Sequence, residues 1–218
     1  MKIYLLPGLG ADRRMYTPQL KIFPQAEVLE HLKPNKNETL QVYSTRVAEL
    51  IDKSSPFILI GTSLGGMVAL ELSKLIRPEK LILIATVKNR NEMPAFIRSM
   101  KYLHLHKLIK GNHYKMFNTL LVKRLDNRRD STAASLIKQM TIDTSPEFIE
   151  WAVDAVIKWQ GVDTSDLNYV HIHGTKDQLF PISKIQNSIP ITGGSHIMNL
   201  TMSQQVNQVL IQHLQPYL

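Results

Sequence analysis

The stretch Gly61-Thr62-Ser63-Leu64-Gly65-Gly66 sets one serine between two glycines, directly after the apolar run Phe57–Ile60 and directly before a segment with helical spacing. That is the context in which a serine hydroxyl is held on a tight strand-to-helix turn, exposed for attack on a carbonyl carbon. Neighbours two residues away on either side must be small for the backbones to pass, and Gly61 and Gly65 are. The helix that follows points its first amides at charge developing beside the serine. Gly-x-Ser-x-Gly arises by chance in roughly one chain in fourteen of this length, so the spacing decides nothing until a base and an acid are found. A hydroxyl needs a base to take its proton and a third group to orient that base. His173-Gly174-Thr175-Lys176-Asp177 leaves the apolar run Tyr169–Ile172 and places Asp177 in a loop beyond a strand. Gly193-Gly194-Ser195-His196 leaves the next short run and places His196 in a similar loop before the last helix.

Asp163 and Asp166 are rival acids, but they precede the strand and fall at the wrong edge. Apart from Glu92 no acid follows closely behind Leu81–Ala85, so an alternative acid position after that strand reads as empty. Among the other histidines, His171 and His173 read as a strand residue and a turn residue, and His104, His106 and His113 fall in a helical stretch without a carboxylate at metal-ligand spacing. No metal site is expected. A second requirement of acyl transfer is a pair of backbone N–H groups for the oxyanion. Leu64, next after the serine, offers one, and Leu9 in the loop Leu6-Pro7-Gly8-Leu9-Gly10 offers the other.

These loops meet only if the strands before them are parallel and end at one edge. The runs Ile3–Leu6, Ala26–Leu29, Phe57–Ile60, Leu81–Ala85, Tyr169–Ile172 and Ile189–Ile191 are mostly continuous rather than alternating, as in strands covered on both faces of a parallel sheet. Between them Thr39–Asp52 and Leu64–Ile76 carry apolar helical stripes, and Ser203–Leu214 carries another at the end. From Lys88 to Gln160 the alternation gives way to helical patterns. Pro94–Lys110 stops at Gly111, Asn112 caps a segment with Phe117, Leu120 and Leu121 on one face, and Ser145-Pro146-Glu147 starts a helix running toward Gly161. The expected organisation is an α/β core over 1–87 and 161–218 with a helical cap over 88–160. An insertion leaving the carboxyl end of a strand is placed to roof a ligand site there.

The chain has 218 residues, 44% of them hydrophobic, enough for a core burying roughly 70% of the unfolded surface without staples. With no cysteine, a thiol nucleophile, a Cys-ligated zinc and an iron–sulfur cluster are excluded. No apolar run is long enough to span a bilayer, and the N-terminal run breaks at Pro7-Gly8, so the expectation is a cytoplasmic protein that is not integral to a membrane. Thirteen of the 26 basic residues but only seven of the 18 acidic ones fall in 88–160, so most of the net +8 lies there. The run that includes Arg98, Lys101, Lys107, Lys110, Lys115, Lys123, Arg124, Arg128 and Arg129 is a solvated face or a steering surface for an anionic substrate or an acidic carrier protein. No stacking aromatics accompany the charge, so nucleic acid is not the expected partner. Trp151, Trp159, Met93, Met100, Met116 and Met140 read first as packing for the cap, and second as lining for an apolar acyl pocket.

Taken together, the loop at 7–10, the turn at 61–66, the insertion at 88–160, Asp177 and His196 resemble the α/β-hydrolase family over almost the whole chain. The resemblance implies that fold, a mainly parallel sheet flanked by helices with a helical cap between two late strands. It also implies a Ser63–Asp177–His196 triad in the family's chain order, no cofactor, and cleavage of a small ester or thioester. Relatives with the same triad cleave carbon–carbon bonds or eliminate, and a member that keeps the fold as a ligand-binding module without turnover is a further alternative. Three departures accompany the likeness. The family's usual first strands have no room before Ile3, Pro7 stands where a histidine commonly precedes the loop glycine, and the stretch from Asp177 to His196 is short.

Overall fold

The computed structural model describes residues 1–103 and 131–217. Six strands form one sheet: β1 (Lys2–Leu6), β2 (Glu27–Val28), β3 (Phe57–Thr62), β4 (Lys80–Ile84), β5 (Tyr169–Gly174) and β6 (Ile189–Ile191). Their order across the sheet is β2-β1-β3-β4-β5-β6, and every neighbouring pair is parallel. The chain therefore steps one way from β1 to β2 and the other way from β1 to β3. The crevice between the carboxyl ends of β1 and β3 is the place where such sheets take ligands.

Among the described residues the α-helices are α1 (Thr17–Ile22), α2 (Leu40–Val47), α3 (Leu64–Ile76), α4 (Ala95–Leu103), α5 (Ser131–Asp143), α6 (Pro146–Lys158), α7 (Met198–Thr201) and α8 (Ser203–Leu214). The strand side chains alternate between two cores, which is why the apolar runs are unbroken. Tyr4, Leu6, Leu59, Leu81 and Leu83 pack with α2, α3 and α6 on one face. Ile3, Leu5, Ile58, Ile60, Ile82 and Ile84 pack with α5 and α8 on the other.

Local signals set the helix ends. Thr39 caps α2 by accepting from the Val42 amide, and the expected helix over Thr39–Asp52 is α-helical only to Val47 before tightening to a 3-10 turn at Ala48–Leu50. Arg77, left-handed at φ 36°, ends α3 ahead of Pro78. Ser145 caps α6 through the Phe148 amide, with Pro146 at the first position and Glu147 in the first turn, as expected. The strand expected over Ala26–Leu29 pairs only at Glu27–Val28, the short outer edge of the sheet. Asn89 and Gly161, where the chain leaves and re-enters the sheet region, form an isolated antiparallel bridge.

Both tryptophans of the 88–160 stretch are fastened to the core. Trp151 Nε1 donates to the Glu38 carbonyl at 2.7 Å, and Trp159 Nε1 donates to the buried Glu71 carboxylate at 2.6 Å. Met93 and Met140 are fully buried, so of the two readings for these residues it is packing that their surroundings match. The segment with Asn112, Met116, Phe117, Leu120 and Leu121, His104, His106, His113 and the basic cluster from Lys107 to Arg129 lie outside the described residues. No described helix is long and apolar enough to cross a membrane.

Replacing Trp159 by Phe keeps an aromatic ring but removes the indole N–H, leaving the Glu71 carboxylate with Gln41 Nε2, 3.2 Å away. A hydrogen bond to a charged group contributes roughly 1.5–3 kcal/mol. Urea unfolding of Trp159→Phe should show a loss of about 2 kcal/mol, and an unchanged midpoint would contradict this role.

Candidate active site

The turn between β3 and α3 is built around Ser63, which holds φ 53° and ψ −118°, outside the regions open to most side-chain-bearing residues. Such a backbone costs on the order of 1–3 kcal/mol and persists only where its surroundings fix it. Here the Ser63 amide donates to the Ile84 carbonyl at 2.9 Å, and Thr86 Oγ1 donates to the Ser63 carbonyl at 2.7 Å. A Cβ at Gly61 would run into the Gly65 carbonyl, and one at Gly65 into the Leu6 carbonyl, so both positions admit only glycine.

Around this turn the structure brings together the three side chains singled out in the sequence. Ser63 Oγ lies 2.9 Å from His196 Nε2, and His196 Nδ1 lies 2.8 Å from Asp177 Oδ2. The other Asp177 oxygen accepts the amides of Leu179 at 2.8 Å and Phe180 at 2.9 Å. Asp177 and His196 are each only 5% exposed, whereas Ser63 is half-buried. Burial alone would raise the Asp177 pKa, but His196, His173 and the Phe180 amide outweigh it and hold the carboxyl below its ordinary range. An ionised Asp177 can only accept, so His196 carries its proton on Nδ1 and turns the Nε2 lone pair toward the Ser63 hydroxyl, which donates to it. The edge of Phe180 packs on the imidazole, ring centres 5.4 Å apart.

The loop after β1 passes directly against the serine; a Cβ at Gly8 would stand 3.3 Å from Ser63 Cβ. Its shape is fixed from three sides. The Tyr16 hydroxyl donates to the Leu6 carbonyl at 2.7 Å and takes Thr62 Oγ1 at 2.8 Å, joining the ends of β1 and β3. Thr141 Oγ1 of α5, which gives its one proton to the Ile137 carbonyl at 2.8 Å, packs its side chain against Gly10. His31 Nε2 lies 3.0 Å from the Gly8 carbonyl, an acceptor, so this nitrogen carries the proton. Sequence reasoning missed His31; the signal available was that the loop Leu6-Pro7-Gly8-Leu9-Gly10 brings no side-chain hydrogen-bond donor of its own. A histidine just past β2 is at the right edge of the sheet to supply one. The His31 ring stacks on Phe148 of α6, ring centres 4.2 Å apart. A small pocket with room for about one water lies under this loop, between Pro7, Leu29, His31, Tyr43, Leu64 and Val68. Leu64 opens α3, so its amide belongs to the first turn, whose N–H groups have no partner within the helix.

The rival acids fall elsewhere. Asp163 and Asp166 are exposed, and Glu92 is buried against Lys88 Nζ at 2.7 Å. His173, expected in a turn, is the fifth residue of β5 and fully buried, because β5 runs on to Gly174. Among the described residues no three His, Cys, Asp or Glu side chains gather in a way that could hold a metal ion.

Comparison with known proteins bears on the fold. No protein family model and no curated protein matches this chain. Among solved structures, a thermophilic esterase from Thermogutta terrifontis superposes with a TM-score of 0.80 at 18% identity, covering 99% of this chain and 90% of that one. An enol-lactonase from Burkholderia xenovorans superposes with a TM-score of 0.80 at 17% identity over 98% of this chain and 91% of the other. MenH from S. aureus gives 0.78 at 16% over 99% and 94%. The fold is the α/β-hydrolase fold.

Desolvation of its ring pushes the His31 pKa down to about 4 from 6.5. The folded value lies below the unfolded one, so the neutral ring's contribution is complete above pH 6.5. It declines as pH falls from 6.5 to 4, where the unfolded chain takes the proton first. At about 1.4 kcal/mol per pKa unit, the loss across that window is on the order of 2–3 kcal/mol. His31→Gln keeps a donor for the Gly8 carbonyl without titrating. Native protein should lose stability relative to His31→Gln across this window in urea unfolding, and parallel pH profiles would refute the assignment.

Proposed function

We propose that this protein is a serine hydrolase that cleaves a small ester or thioester through an acyl-enzyme. The observation that carries the reading is the unbroken hydrogen-bonded line from Ser63 Oγ through His196 to Asp177, at 2.9 and 2.8 Å, starting at a strained serine beside an early-strand loop. The esterase and lactonase among the structural neighbours support the same class of bond.

In this reading Ser63 Oγ attacks the carbonyl carbon as its proton passes to His196 Nε2, and Asp177 stabilises the imidazolium without taking the proton itself. The amides of Leu9 and Leu64 receive the oxyanion, and each such donor contributes about 10²–10³ in rate. Collapse of the tetrahedral intermediate breaks the bond to the leaving alkoxide or thiolate, which takes the proton from His196. A water then attacks the acyl-Ser63, giving one proton to His196, and the acid leaves as Ser63 recovers that proton. The step sequence is balanced without a cofactor. Helices α5 and α6 act as a lid beside the site, Thr141 packing against Gly10 and Phe148 stacking on the His31 that holds the Gly8 carbonyl.

Kinetics on a small activated ester test the reading. Asp177→Asn should lower kcat by about 10⁴-fold because the imidazole is left in the wrong tautomer, and Ser63→Ala should lower it at least as far. Turnover by Ser63→Ala at the native rate would overturn it.

A further inference from the structure

Asp177 has a second imidazole beside it that the reaction does not use. His173 Nε2 lies 2.7 Å from the Phe180 carbonyl and 3.4 Å from Asp177 Oδ2. Behind it His173 Nδ1 faces His171 Nε2 at 3.3 Å, and His171 Nδ1 faces Lys88 Nζ at 3.3 Å. Lys88 Nζ also reaches Glu92 Oε1 and the Gln186 carbonyl, each at 2.7 Å. All four side chains are at most 3% exposed. Five groups from three parts of the chain thus run in a buried file from the start of the 88–160 stretch to the acid of the site.

The direction of every bond in the file follows from its two ends. The Phe180 carbonyl can only accept, so His173 carries a proton on Nε2. Burial holds the pKa values of both His171 and His173 below the ordinary histidine value, so at neutral pH each ring has one proton. His173 Nδ1 must then accept, His171 Nε2 must donate to it, and His171 Nδ1 must accept. Lys88 has three N–H bonds and three partners: Glu92, the Gln186 carbonyl and His171 Nδ1. The donor and acceptor sequence is consistent along these contacts, with the Thr86 backbone a further hydrogen-bond partner of His171, and reversing it would set a His173 lone pair against the Phe180 carbonyl.

We propose that Lys88, His171 and His173 form a positioning relay for Asp177, in which the ammonium sets both ring tautomers so that His173 always presents Nε2–H to the Phe180 carbonyl and Asp177 Oδ2. This rests on the hydrolase reading of Ser63, His196 and Asp177. The Phe180 peptide is clasped from both sides, its amide donating to Asp177 Oδ1 and its carbonyl accepting from His173, so the relay fixes the loop that orients His196. A buried ion pair and two buried imidazoles are costly to hold, and apolar residues of like volume often serve stability as well or better. The file instead supplies a tautomer and an orientation, which apolar side chains cannot.

Two measurements test this together. Ring-nitrogen NMR of the native protein should find His171 and His173 both neutral with the proton on Nε2. His173→Leu should lower kcat on a small activated ester by about 10- to 100-fold, the scale of losing the outer partner of a metal-bound histidine, with KM unchanged. It should also weaken the low-field signal of the His196 Nδ1–H. His173→Gln, which restores an amide donor near the Nε2 position, should recover most of the rate and the signal, separating positioning from a folding defect. A proton on His173 Nδ1, or native kcat and an unchanged His196 signal in His173→Leu, would overturn the relay. If the native protein cleaves no ester, the hydrolase reading fails, and the ring tautomers with the His196 signal still decide whether the relay sets Asp177.

Discussion

The backbone at Ser63 is the constraint on which the rest of the structure turns. A side-chain-bearing residue at φ 53° and ψ −118° relaxes unless it is held, and here it is held by the sheet itself. The Ile84 carbonyl and the Thr86 hydroxyl grip the Ser63 peptide from β4 and the turn after it. The glycines at 61 and 65 let β1, β3 and α3 approach more closely than any Cβ would allow. In exchange the Ser63 hydroxyl stands clear of the sheet edge beside the first turn of α3. Parallel pairing of β1, β3, β4, β5 and β6 then brings the loops carrying Leu9, Asp177 and His196 to the same edge.

Polar groups buried at that edge are satisfied in a way that gives each one a direction. Asp177 takes two amides on one oxygen and His196 on the other, so its carboxylate has little freedom to turn. The Gly8 carbonyl is fixed by the Ala11 amide and His31, and the Leu6 carbonyl by Tyr16. Preorganised dipoles of this kind cost no reorganisation when charge develops, which is where electrostatic stabilisation of a transition state is greatest. The helices following β4 take part in the same network. Thr141 packs against Gly10, Phe148 stacks on His31, and Arg14 joins Asp143 at 2.6 Å, so α5 and α6 are coupled to the loop beside Ser63.

Much of this was legible in the sequence because it follows from patterns of period one, two or 3.6. The unbroken apolar runs marked β1, β3, β4 and β5 because both faces of a parallel sheet are buried, and the Gly61–Gly66 turn marked the serine. Asp177 and His196 were legible from their place just beyond late strands. α1 was not, since Thr17–Ile22 is under two turns and its place is set by contacts with α7 and α8 far along the chain. His31 was not, because its partner is a backbone carbonyl 23 residues away, and no side-chain pattern encodes a carbonyl. His171 and His173 share one face of β5 by alternation, which the sequence does display. What it could not display is Lys88 beneath them, brought there by the pairing of β4 with β5.

The central claim is that Ser63 is an activated nucleophile because the strained turn between β3 and α3, His196 and Asp177 are assembled in the resting protein. Intact mass after incubation with a fluorophosphonate tests it most directly, since the reagent needs both an activated hydroxyl and a place for the phosphoryl oxygen. The account predicts a single adduct on the native chain, absent from Ser63→Ala. A folded native protein that takes no adduct, or a Ser63→Ala protein that takes the same one, would contradict it.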